Sequence, residues 1–486
     1  MTAAAVPAAP TGSTDPGLLP PGFEVRLRPD LVRADGGAVL IGGSPTRALR
    51  LGDRARGLLD GDRLTVTGRA SALLARRLLD GNLADPVLDA VPTPRGGLTV
   101  VVPVRDRADQ LDRCLAALAG LPVVVVDDAS RDPAAVAAVA ARHGAALVPL
   151  PVNRGPAGAR NAGLARVATP LVAFVDSDVV VAADALLRLA RHCADPLVAL
   201  VGPVVAGEPR RDRPRWFERY DAAASSLDLG RVGGLVRPGA AIGWLPSACL
   251  VGRVAHLGDG FAADLRVAED VDLVWRLVER GLVVRYDPTE RARHDVRGTV
   301  GGWLGRKFVY GTGGADLAAR HGDRVAPAAL TVLTAASAAA VLQRRRWSLP
   351  VAVATVALTT RRLARELPVE RGATAVAARL SVRGLGWAVR QESALLLRHW
   401  WPLGLVGSAL SPPVRRAVLG ALVVDLWVFR RERPGVGLPT ALVARRLDDL
   451  AYGAGLWWGA LRRHSVACLR VRWHGERGVP RRRRGR

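Results

Sequence analysis

The sequence PLVAFVDSD, residues 170–178, decides the fold of this chain. Its first six residues carry no charge and include two valines and a phenylalanine, which is typical of a strand buried on both faces of a sheet. Asp176 and Asp178 follow where that strand would end, and in an open α/β sheet ligands bind at the carboxyl ends of strands. Two carboxylates there can hold Mg²⁺ or Mn²⁺, which usually also contacts substrate phosphates. By themselves the two residues fit a turn at the strand end equally well.

The residues before this stretch repeat its pattern. Apolar runs at 98–104, 123–126 and 146–150 alternate with segments of helical spacing, among them 133–143. Strands and helices that alternate at this spacing predict βαβ units and a mainly parallel sheet with right-handed crossovers. The fold class predicted for residues 97–322 is therefore α/β, with a Rossmann-like sheet.

The glycine-rich segment 153–163 opens the helix that precedes PLVAFVDSD. It lacks the GxxxxGK[ST] pattern of a P-loop and does not match GxGxxG. Its glycines fit a plain turn at a helix N-terminus. They also fit a loop whose backbone amides and Arg160 approach a phosphate or a nucleoside.

Composition narrows the choice of partners. The 486 residues predict two or three domains, and the hydrophobic fraction of 49% suffices for packed cores. The net charge is +25 and Lys307 is the only lysine, so arginine carries the excess positive charge. That charge fits a phosphorylated substrate or an anionic membrane surface. Nucleic acid is not expected as a partner, since aromatic residues make up only 5% and no zinc-finger spacing occurs.

Cysteine usage and the termini indicate the compartment. Four scattered cysteines without a CxxC pair fit a reducing cytoplasm. The first residues lack a basic region followed by an apolar core, which argues against a secretory signal. We predict a cytoplasmic protein, or one held peripherally at the inner face of the cell membrane, with disordered residues 1–21 and a basic tail at 476–486.

Two further regions flank the α/β segment. Residues 22–92 combine strand patterns with helical spacing, which predicts a small winged-helix-like domain, although a packing domain without a ligand fits as well. Residues 323–475 alternate apolar helical runs with pairs and triplets of arginine. No run reaches the roughly 20 apolar residues of a membrane span. We therefore expect amphipathic helices that lie on a membrane or pack on the α/β domain.

Four short motifs occur in one order along the α/β segment: VVPVRDR at 101–107, VVVVDDAS at 123–130, NRGPAGARNAG at 153–163 and FVDSD at 174–178. Together they resemble the family 2 glycosyltransferases of the GT-A fold, and the resemblance covers roughly residues 97–314. It implies a UDP-sugar donor and a divalent cation, Mg²⁺ or Mn²⁺. The residues that it places on the nucleotide are Pro103, Val104, Arg105, Asp127, Asp128, Arg160, Asn161, Asp176 and Asp178.

The same resemblance implies which residues hold the metal. Asp178 corresponds to the direct ligand, and Asp176 lies nearer the ribose. His294, which follows a strand predicted at 282–286, is implied as a further metal or phosphate ligand, although a surface pair with Asp295 fits equally well.

The segment LRVAEDVDLVWRL at 265–277 matches the Glu-Asp element of the family. An acid at a helix N-terminus is kept ionised by the helix dipole, so Asp270 can act as the base toward a sugar hydroxyl. The resemblance then implies a single displacement that inverts the anomeric configuration. Without the upstream motifs, Glu269 and Asp270 would be ordinary first-turn acids.

Three other segments carry further expectations. Residues 242–249 are expected to form a strand facing the acceptor, with Trp244 as a sugar platform or a core residue. The segment QRRRW at 343–347 has the letters of the QxxRW element of processive synthases, but a chance match in so arginine-rich a region is favoured. A basic aromatic loop is expected to close over the diphosphate with Trp303, Arg306, Lys307 and Tyr310.

Residues 22–92 resemble the PqqD-type peptide-binding modules of pathways that modify ribosomal peptides. The order of this PqqD-like domain, a family 2 domain and an arginine-rich apolar region is similar to the mycofactocin-system glycosyltransferases of actinobacteria. That similarity includes two stretches of the PqqD-like domain, GFEVRLRPD at 22–30 and GGAVLIGGSPTRALRL at 36–51. It implies transfer of glucose from UDP-glucose onto a ribosomal-peptide-derived redox cofactor. Two alternatives stay open: a family 2 enzyme with a cell-envelope glycan or glycolipid as acceptor, and a non-catalytic binding protein on this fold.

Overall fold

The computed structural model describes residues 17–94 and 96–474. The predicted basic tail lies outside the described residues, and so does most of the segment predicted to be disordered. Leu19, which that prediction included, is buried in the core of the N-terminal unit. The disorder predicted up to residue 21 is therefore wrong at its C-terminal end, because the apolar side chain of Leu19 packs in this core.

The N-terminal unit is built from two three-stranded antiparallel sheets, β5-β1-β6 and β2-β3-β4, and one long helix. Its elements are β1 (Glu24–Leu27), β2 (Val32–Ala34), β3 (Val39–Gly42), β4 (Arg47–Arg50), α1 (Asp53–Arg56), β5 (Arg63–Thr65), α2 (Arg69–Asp80) and β6 (Ala84–Val87). The helical spacing that the sequence shows at Leu74, Leu78 and Leu79 forms α2, whereas the spacing at Ala55, Leu58 and Leu59 gives only the single turn α1, because so short a segment cannot offset the cost of helix nucleation. The similarity to a winged-helix or PqqD-like domain stays a prediction.

Buried ion pairs attach this unit to the α/β domain. Arg76 of α2 contacts both carboxylate oxygens of Asp195, at 2.6 and 3.0 Å, and Arg285 contacts the same carboxylate at 3.1 Å. Asp195 is fully buried. Removing Asp195 would leave the buried guanidinium of Arg285 without this carboxylate and would break the contact with Arg76, so Asp195 fixes the unit against the sheet.

The α/β domain alternates strands and helices as the sequence predicts. Its elements are β7 (Leu98–Val104), α3 (Ala108–Ala117), β8 (Val123–Asp127), α4 (Pro133–Arg142), β9 (Ala146–Pro149), α5 (Gly155–Leu164), β10 (Leu171–Val175), β11 (Val179–Val180), α6 (Ala183–Ala190), β12 (Val198–Glu208), α7 (Trp216–Ala223), β13 (Gly234–Leu235), β14 (Cys249–Arg253), α8 (Val254–Leu257), α9 (Glu269–Glu279), β15 (Val283–Asp295) and α10 (Val300–His321).

Among the described residues, the central sheet has the order β11-β15-β12-β14-β10-β7-β8-β9, with β13 beside β15. The four strands β9, β8, β7 and β10 are parallel, and their apolar side chains fill a core on each face. The other half is mixed, because β14 runs antiparallel to both β10 and β12. The prediction of a parallel sheet therefore holds for the half that carries PLVAFVDSD.

The C-terminal region is helical. It comprises β16 (Ala329–Leu330), α11 (Val332–Gln343), α12 (Ser348–Glu366), α13 (Ala373–Ala394), a π-helical turn (Leu395–His399), α14 (Trp401–Leu410), α15 (Pro412–Glu432), α16 (Leu438–Arg462) and β17 (Arg472–Trp473). None of the described helices has the length and apolar content needed to cross a membrane. The QRRRW segment begins at the last residue of α11 and does not line the cleft described below.

Helix α10 joins this region to the α/β domain through α16. Gly311 of α10 lies against the backbone of Tyr452, and Gly455 and Gly459 of α16 lie against the backbones of Phe308 and Thr312. A side chain at these glycines would collide with main-chain atoms, so the two helices can only pack this closely without one. The C-terminal helices are therefore held directly beside the α/β domain.

Candidate active site

A cleft of about 1050 Å³ opens at the carboxyl ends of the parallel strands β7, β8 and β10. Polar residues follow the last residue of each strand, as expected for the ligand-binding edge of such a sheet. The strand-end residues that line the cleft include Pro103, Val104, Arg105, Asp106, Arg107, Asp128, Asp176, Ser177 and Asp178.

The opposite wall comes from later parts of the chain. Helix α9 contributes its N-terminal residues Glu269 and Asp270, and α10 contributes Arg306 and Tyr310. The C-terminal helices complete the wall with Arg390, Ser393, Arg398, His399, Val424, Asp425, Val428, Phe429, Glu432, Arg433, Arg445, Asp448, Tyr452 and Leu456. The C-terminal region thus packs on the α/β domain and forms part of the cleft.

Asp178 is a buried carboxylate surrounded by positive charge. It is ion-paired with Arg107, and its Oδ2 lies 3.6 Å from both His294 Nε2 and Arg297 Nη2. Burial alone would raise the pKa of Asp178, but His294, Arg107 and Arg297 outweigh it and hold the pKa below its ordinary value. Asp178 is therefore ionised at neutral pH, and the cations around it exceed its single negative charge.

Strand register explains why His294 reaches this place. Strand β11 directly follows Asp178 and pairs antiparallel with β15, so that Val179 lies opposite His294. The main-chain N–H of Asp295 also donates a hydrogen bond of 3.1 Å to the Asp178 carbonyl oxygen. Asp295 itself pairs with Arg113 and Arg210, so it is not the surface partner of His294 that the sequence left open.

The donor set around Asp178 fits a divalent cation only in part. Among the described residues, no three His, Cys, Asp or Glu side chains converge as a preformed metal site. Mg²⁺ and Mn²⁺, however, are commonly held by one or two carboxylates together with substrate phosphates. Asp178, with His294 beside it, offers that incomplete set and fits a cation that arrives with a diphosphate.

Asp176 and Glu269 are held by one buried arginine. Arg160 Nη2 donates to Asp176 Oδ1 at 2.5 Å, and Arg160 Nη1 donates to Glu269 Oε1 at 2.8 Å. The guanidinium also lies 5.3 Å from the ring centroid of Phe261. Burial would lower the pKa of Arg160, but the two carboxylates outweigh it and raise that pKa above its ordinary value. This network ties the end of β10 to the start of α9.

Replacing Arg160 with methionine should lower the free energy of unfolding by about 3–5 kcal/mol, because it leaves Asp176 and Glu269 facing each other without a cation. Denaturant unfolding followed by circular dichroism measures this change. Arg142→Met is the matched control, since Arg142 makes an exposed pair with Asp112 at 3.4 Å whose loss should cost less than about 1 kcal/mol. Equal effects of the two substitutions would contradict the structural role given to the Arg160 network.

Asp270 lies at the first turn of α9 with its carboxylate on the cleft. Oδ2 accepts a hydrogen bond from the Ser247 N–H at 3.1 Å, and Oδ1 accepts one from the Val271 N–H at 2.8 Å. Burial, and then the negative charge of Glu269, raise the pKa of Asp270 to about 7. Burial and Glu269 therefore outweigh the effect of the helix dipole that the sequence predicts, and a carboxylate with this pKa is poised to accept a proton near neutral pH.

The residue before α9 has an unusual backbone conformation. Ala268 has a φ angle of +66°, in the left-handed region that residues other than glycine rarely adopt. Asp106 after β7 and Ala129 after β8 share this conformation, with φ of +56° at both. Strained residues of this kind tend to cluster at functional sites, and here they flank the loops around the cleft.

Some of the residues expected on the nucleotide line the cleft, and others lie outside it. Asp128 lines it and accepts hydrogen bonds from the N–H groups of Arg154 and Gly155, at 2.6 and 2.9 Å. Asp127 is buried and accepts the Ser130 N–H. Asn161 pairs with both main-chain groups of Phe261, at 2.7 and 2.9 Å, and does not line the cleft. Asp127 and Asn161 are therefore structural contacts here, which corrects their expected place on the nucleotide.

Other expectations also need correction. The basic aromatic loop is the start of helix α10, where Trp303 is buried among Phe217 and Tyr220. Lys307 is buried as well and pairs with Asp448 at 3.0 Å, so neither side chain can close over a diphosphate. Arg306 and Tyr310 do line the cleft. Residues 242–248 form no strand, since β14 begins at Cys249, but Trp244 lies in the cleft wall.

Sequence reasoning missed several residues at this site. Arg107 belongs to the VVPVRDR motif, but the motif does not show that Arg107 pairs with Asp178, and no local pattern connects Arg297 with Asp178. Arg398, which lies 4.0 Å from the ring centroid of Tyr452 and pairs with Asp449 at 3.1 Å, belongs to the C-terminal wall. Only the tertiary contact of that region with the α/β domain brings it to the cleft.

Comparison with known families gives two matches. The model described as "Glycosyl transferase family 2" matches residues 99–241, and the model described as "Glycosyl transferase family group 2" matches residues 171–430. The second match extends from the strand β10 into α15, and so covers part of the helical wall of the cleft.

Comparison with individual proteins gives a match along nearly the whole chain. A pre-mycofactocin glycosyltransferase of Mycobacterium tuberculosis is 41% identical over 469 residues, covering 93% of this chain and 98% of that protein. The succinoglycan biosynthesis protein ExoO of Rhizobium meliloti is 41% identical over 111 residues, covering 21% of this chain and 30% of that protein. Among solved structures, a Pyrobaculum calidifontis mannosyltransferase in complex with GDP-Man and Mn²⁺ aligns over 77% of this chain and 89% of that one, with a TM-score of 0.43 and 18% identity.

Proposed function

Because this chain belongs to glycosyltransferase family 2, we propose that it transfers glucose from UDP-glucose onto a ribosomal-peptide-derived redox cofactor in mycofactocin biosynthesis. The chain is a transferase with a GT-A-like fold, and a non-catalytic binding protein is therefore no longer an alternative. The observation that carries the pathway is the similarity to the M. tuberculosis protein. It includes the N-terminal unit and the C-terminal helices as well as the domain that family 2 enzymes share.

Asp270 is the proposed base. Its ionised carboxylate takes the proton of the acceptor hydroxyl while the hydroxyl oxygen forms a bond to the anomeric carbon of the donor sugar. The bond between that carbon and the diphosphate breaks in the same step, its electron pair leaves with the diphosphate, and the anomeric configuration inverts. The hydrogen bonds from Ser247 and Val271 hold the carboxylate toward the cleft for this purpose.

The charge of the leaving diphosphate would be met by the arginines near Asp178, with His294 beside them. Arg107, Arg297 and His294 lie around that carboxylate, and Arg306 lines the same cleft. Positive groups placed where charge develops are usually the largest contribution to such a reaction. A divalent cation held by Asp178, with Asp176 or His294 beside it, would add positive charge at the leaving diphosphate.

The acceptor would occupy the side of the cleft that faces the C-terminal helices. The donor would lie at the strand ends with Asp128 and Asp178, and Asp270 lines the same cleft from the first turn of α9. Trp244 of the α/β domain and Tyr452 of the helical wall give the cleft aromatic surface, which suits the apolar faces of sugar rings or of a modified peptide side chain.

The purified protein should add hexose to the peptide-derived precursor of the cofactor when UDP-glucose and Mn²⁺ are present. Mass spectrometry detects the added hexose, and nuclear magnetic resonance gives the anomeric configuration, for which we expect β from the α-linked donor. GDP-mannose in place of UDP-glucose is the donor control. Transfer only to a polysaccharide or glycolipid would contradict the proposed pathway, and an α-linked product would contradict the single displacement.

A further inference from the structure

Exposed apolar side chains are concentrated in the C-terminal region. Among the described residues, 28 large hydrophobic side chains are exposed, and 21 of these lie between Trp347 and Trp473. That region is about a quarter of the chain. Isolated exposed apolar residues are normal on a protein surface, but such a concentration marks an interaction surface.

The clearest part of this surface is the hairpin of α14 and α15. Gly404 and Gly407 of α14 lie against Val418 and Val414 of α15, so the two helices run antiparallel from the turn at Ser411. Helix α14, WPLGLVGSAL, carries no charge, and Gly404 is its one buried residue. An uncharged helix that buries only a glycine edge leaves most of its apolar surface without a protein partner.

Most of the exposed residues form a stripe on each helix, and Leu405 of α14 is exposed beside that stripe at 68%. Leu403, Val406 and Leu410 are spaced by three and four residues along α14, and Leu419, Val423 and Trp427 by four residues along α15, so each set shares one helix face. All six are between 52% and 80% exposed. We call these six residues the hairpin face.

Arginines flank the hairpin face at both ends. Arg415 and Arg416 lie beside the turn, and Arg430 and Arg431 lie near the end of α15, with Arg431 placed 5.0 Å from the ring centroid of Trp427. The acids of α15 are already paired, Asp425 with Arg445 at 2.9 Å and Glu432 with Arg390 at 2.6 Å. Residues 332–474 contain 22 arginines against seven Asp and Glu.

We propose that the hairpin face docks on an anionic phospholipid bilayer, with its apolar stripe in the acyl boundary and its arginines on lipid phosphates. Tryptophan and arginine beside an apolar stripe are typical of helices that lie in the membrane interface. At about 15 Å, α14 is half as long as the hydrocarbon layer is thick, so it lies in the interface rather than across the bilayer. A second copy of this chain fits less well, because it would bring two arginine-rich faces together.

The hairpin face lies on the outer side of a helix that also lines the cleft. Val424, Val428 and Phe429 of α15 line the cleft wall, whereas Leu419, Val423 and Trp427 are exposed. Docking would therefore place the membrane against the outside of the helical wall and leave the cleft itself free.

Flotation of the full-length protein with vesicles tests this proposal. We expect the protein to float with vesicles of phosphatidylglycerol and phosphatidylcholine in equal parts, and at least tenfold less with phosphatidylcholine alone. The triple variant Leu403→Asp, Val406→Asp and Leu410→Asp should float at least tenfold less with the anionic vesicles. The matched control replaces Leu73, Val152 and Val232 with Asp, since these side chains are also at least half exposed but lie away from the hairpin.

Circular dichroism and turnover with dissolved substrates show whether each variant is folded, and the substituted residues belong to neither the cleft nor the cores. Normal flotation of the hairpin variant would overturn the proposal, as would failure of the wild-type protein to float. A wild-type dimer that the hairpin variant converts to a monomer, without any flotation, would assign the face to self-association and also overturn it.

Discussion

Replacing Asp270 with asparagine is expected to lower turnover by roughly 10²–10⁴-fold, the usual contribution of a general base, while the fold stays intact. Asparagine has nearly the same shape and still accepts a hydrogen bond from the Ser247 or Val271 N–H, but it cannot take the proton of the acceptor hydroxyl. The KM for UDP-glucose should change little, since the loss concerns the chemical step. Steady-state kinetics with the wild-type protein and the variant measure both parameters.

The pH dependence of turnover is an independent check on the same residue. Burial and the charge of Glu269 raise the pKa of Asp270 to about 7, and the base must be ionised to act. Turnover of the wild-type protein should therefore fall as the pH drops through about 7 and level off above it. The residual activity of Asp270→Asn should lack this acidic decline.

Asp272→Asn is the matched control for this substitution. Asp272 lies two residues further along α9 and is buried, and it pairs with Arg276 at 2.8 Å and His321 at 3.0 Å instead of lining the cleft. The control variant should lose stability but keep its turnover at temperatures where it is folded. Near-normal turnover of Asp270→Asn would contradict the assignment of the base.

Replacing Asp178 with asparagine is expected to lower turnover by roughly 10²–10³-fold, because a group that stabilises charge at the leaving diphosphate is lost. Its effect on nucleotide binding should depend on the cation. Without a divalent cation, the variant should bind UDP as well as the wild-type protein or better, since Arg107, Arg297 and His294 lose a competing negative charge. The increase in UDP affinity that Mn²⁺ gives the wild-type protein should disappear. Isothermal titration with UDP, in Mn²⁺ and in a chelator, separates the two effects.

Asp184→Asn provides the control, since Asp184 is an exposed acid in the first turn of α6, close in sequence but outside the cleft. It should retain the Mn²⁺ effect and normal turnover. If Asp178→Asn binds UDP more tightly in Mn²⁺ by the same factor as the wild-type protein, Asp178 does not hold the cation.

Much of the donor side could be predicted from the sequence. Buried parallel strands are nearly continuous apolar runs in the sequence. The sequence therefore predicts β7, β8 and β10, together with the polar residues that follow each of them. Asp128, Asp176 and Asp178 converge because the carboxyl ends of parallel strands meet at one edge. The amino-acid sequence does not show which of two adjacent helical residues faces a cleft. Arg160 and Asn161 differ by about 100° around α5, and only Arg160 reaches the site.

The residues around Asp178 depend on contacts that no local pattern reveals. The apolar pattern of β15 ends at Tyr286, yet the strand continues through charged residues to Asp295, because β11 and β12 pair with it there. This extension brings His294 and Arg297 to Asp178. The helical wall of the cleft likewise depends on the glycine contacts between α10 and α16, which join segments more than a hundred residues apart.

The most direct test of the account is a crystal structure with UDP and Mn²⁺. We expect the uracil and ribose beside Asp128 and Asp176, an anomalous Mn²⁺ peak between Asp178 and the diphosphate, and the carboxylate of Asp270 facing the end of the diphosphate that carries the sugar. Nucleotide bound away from the ends of β7, β8 and β10, or an Asp270 carboxylate turned away from the diphosphate, would contradict it.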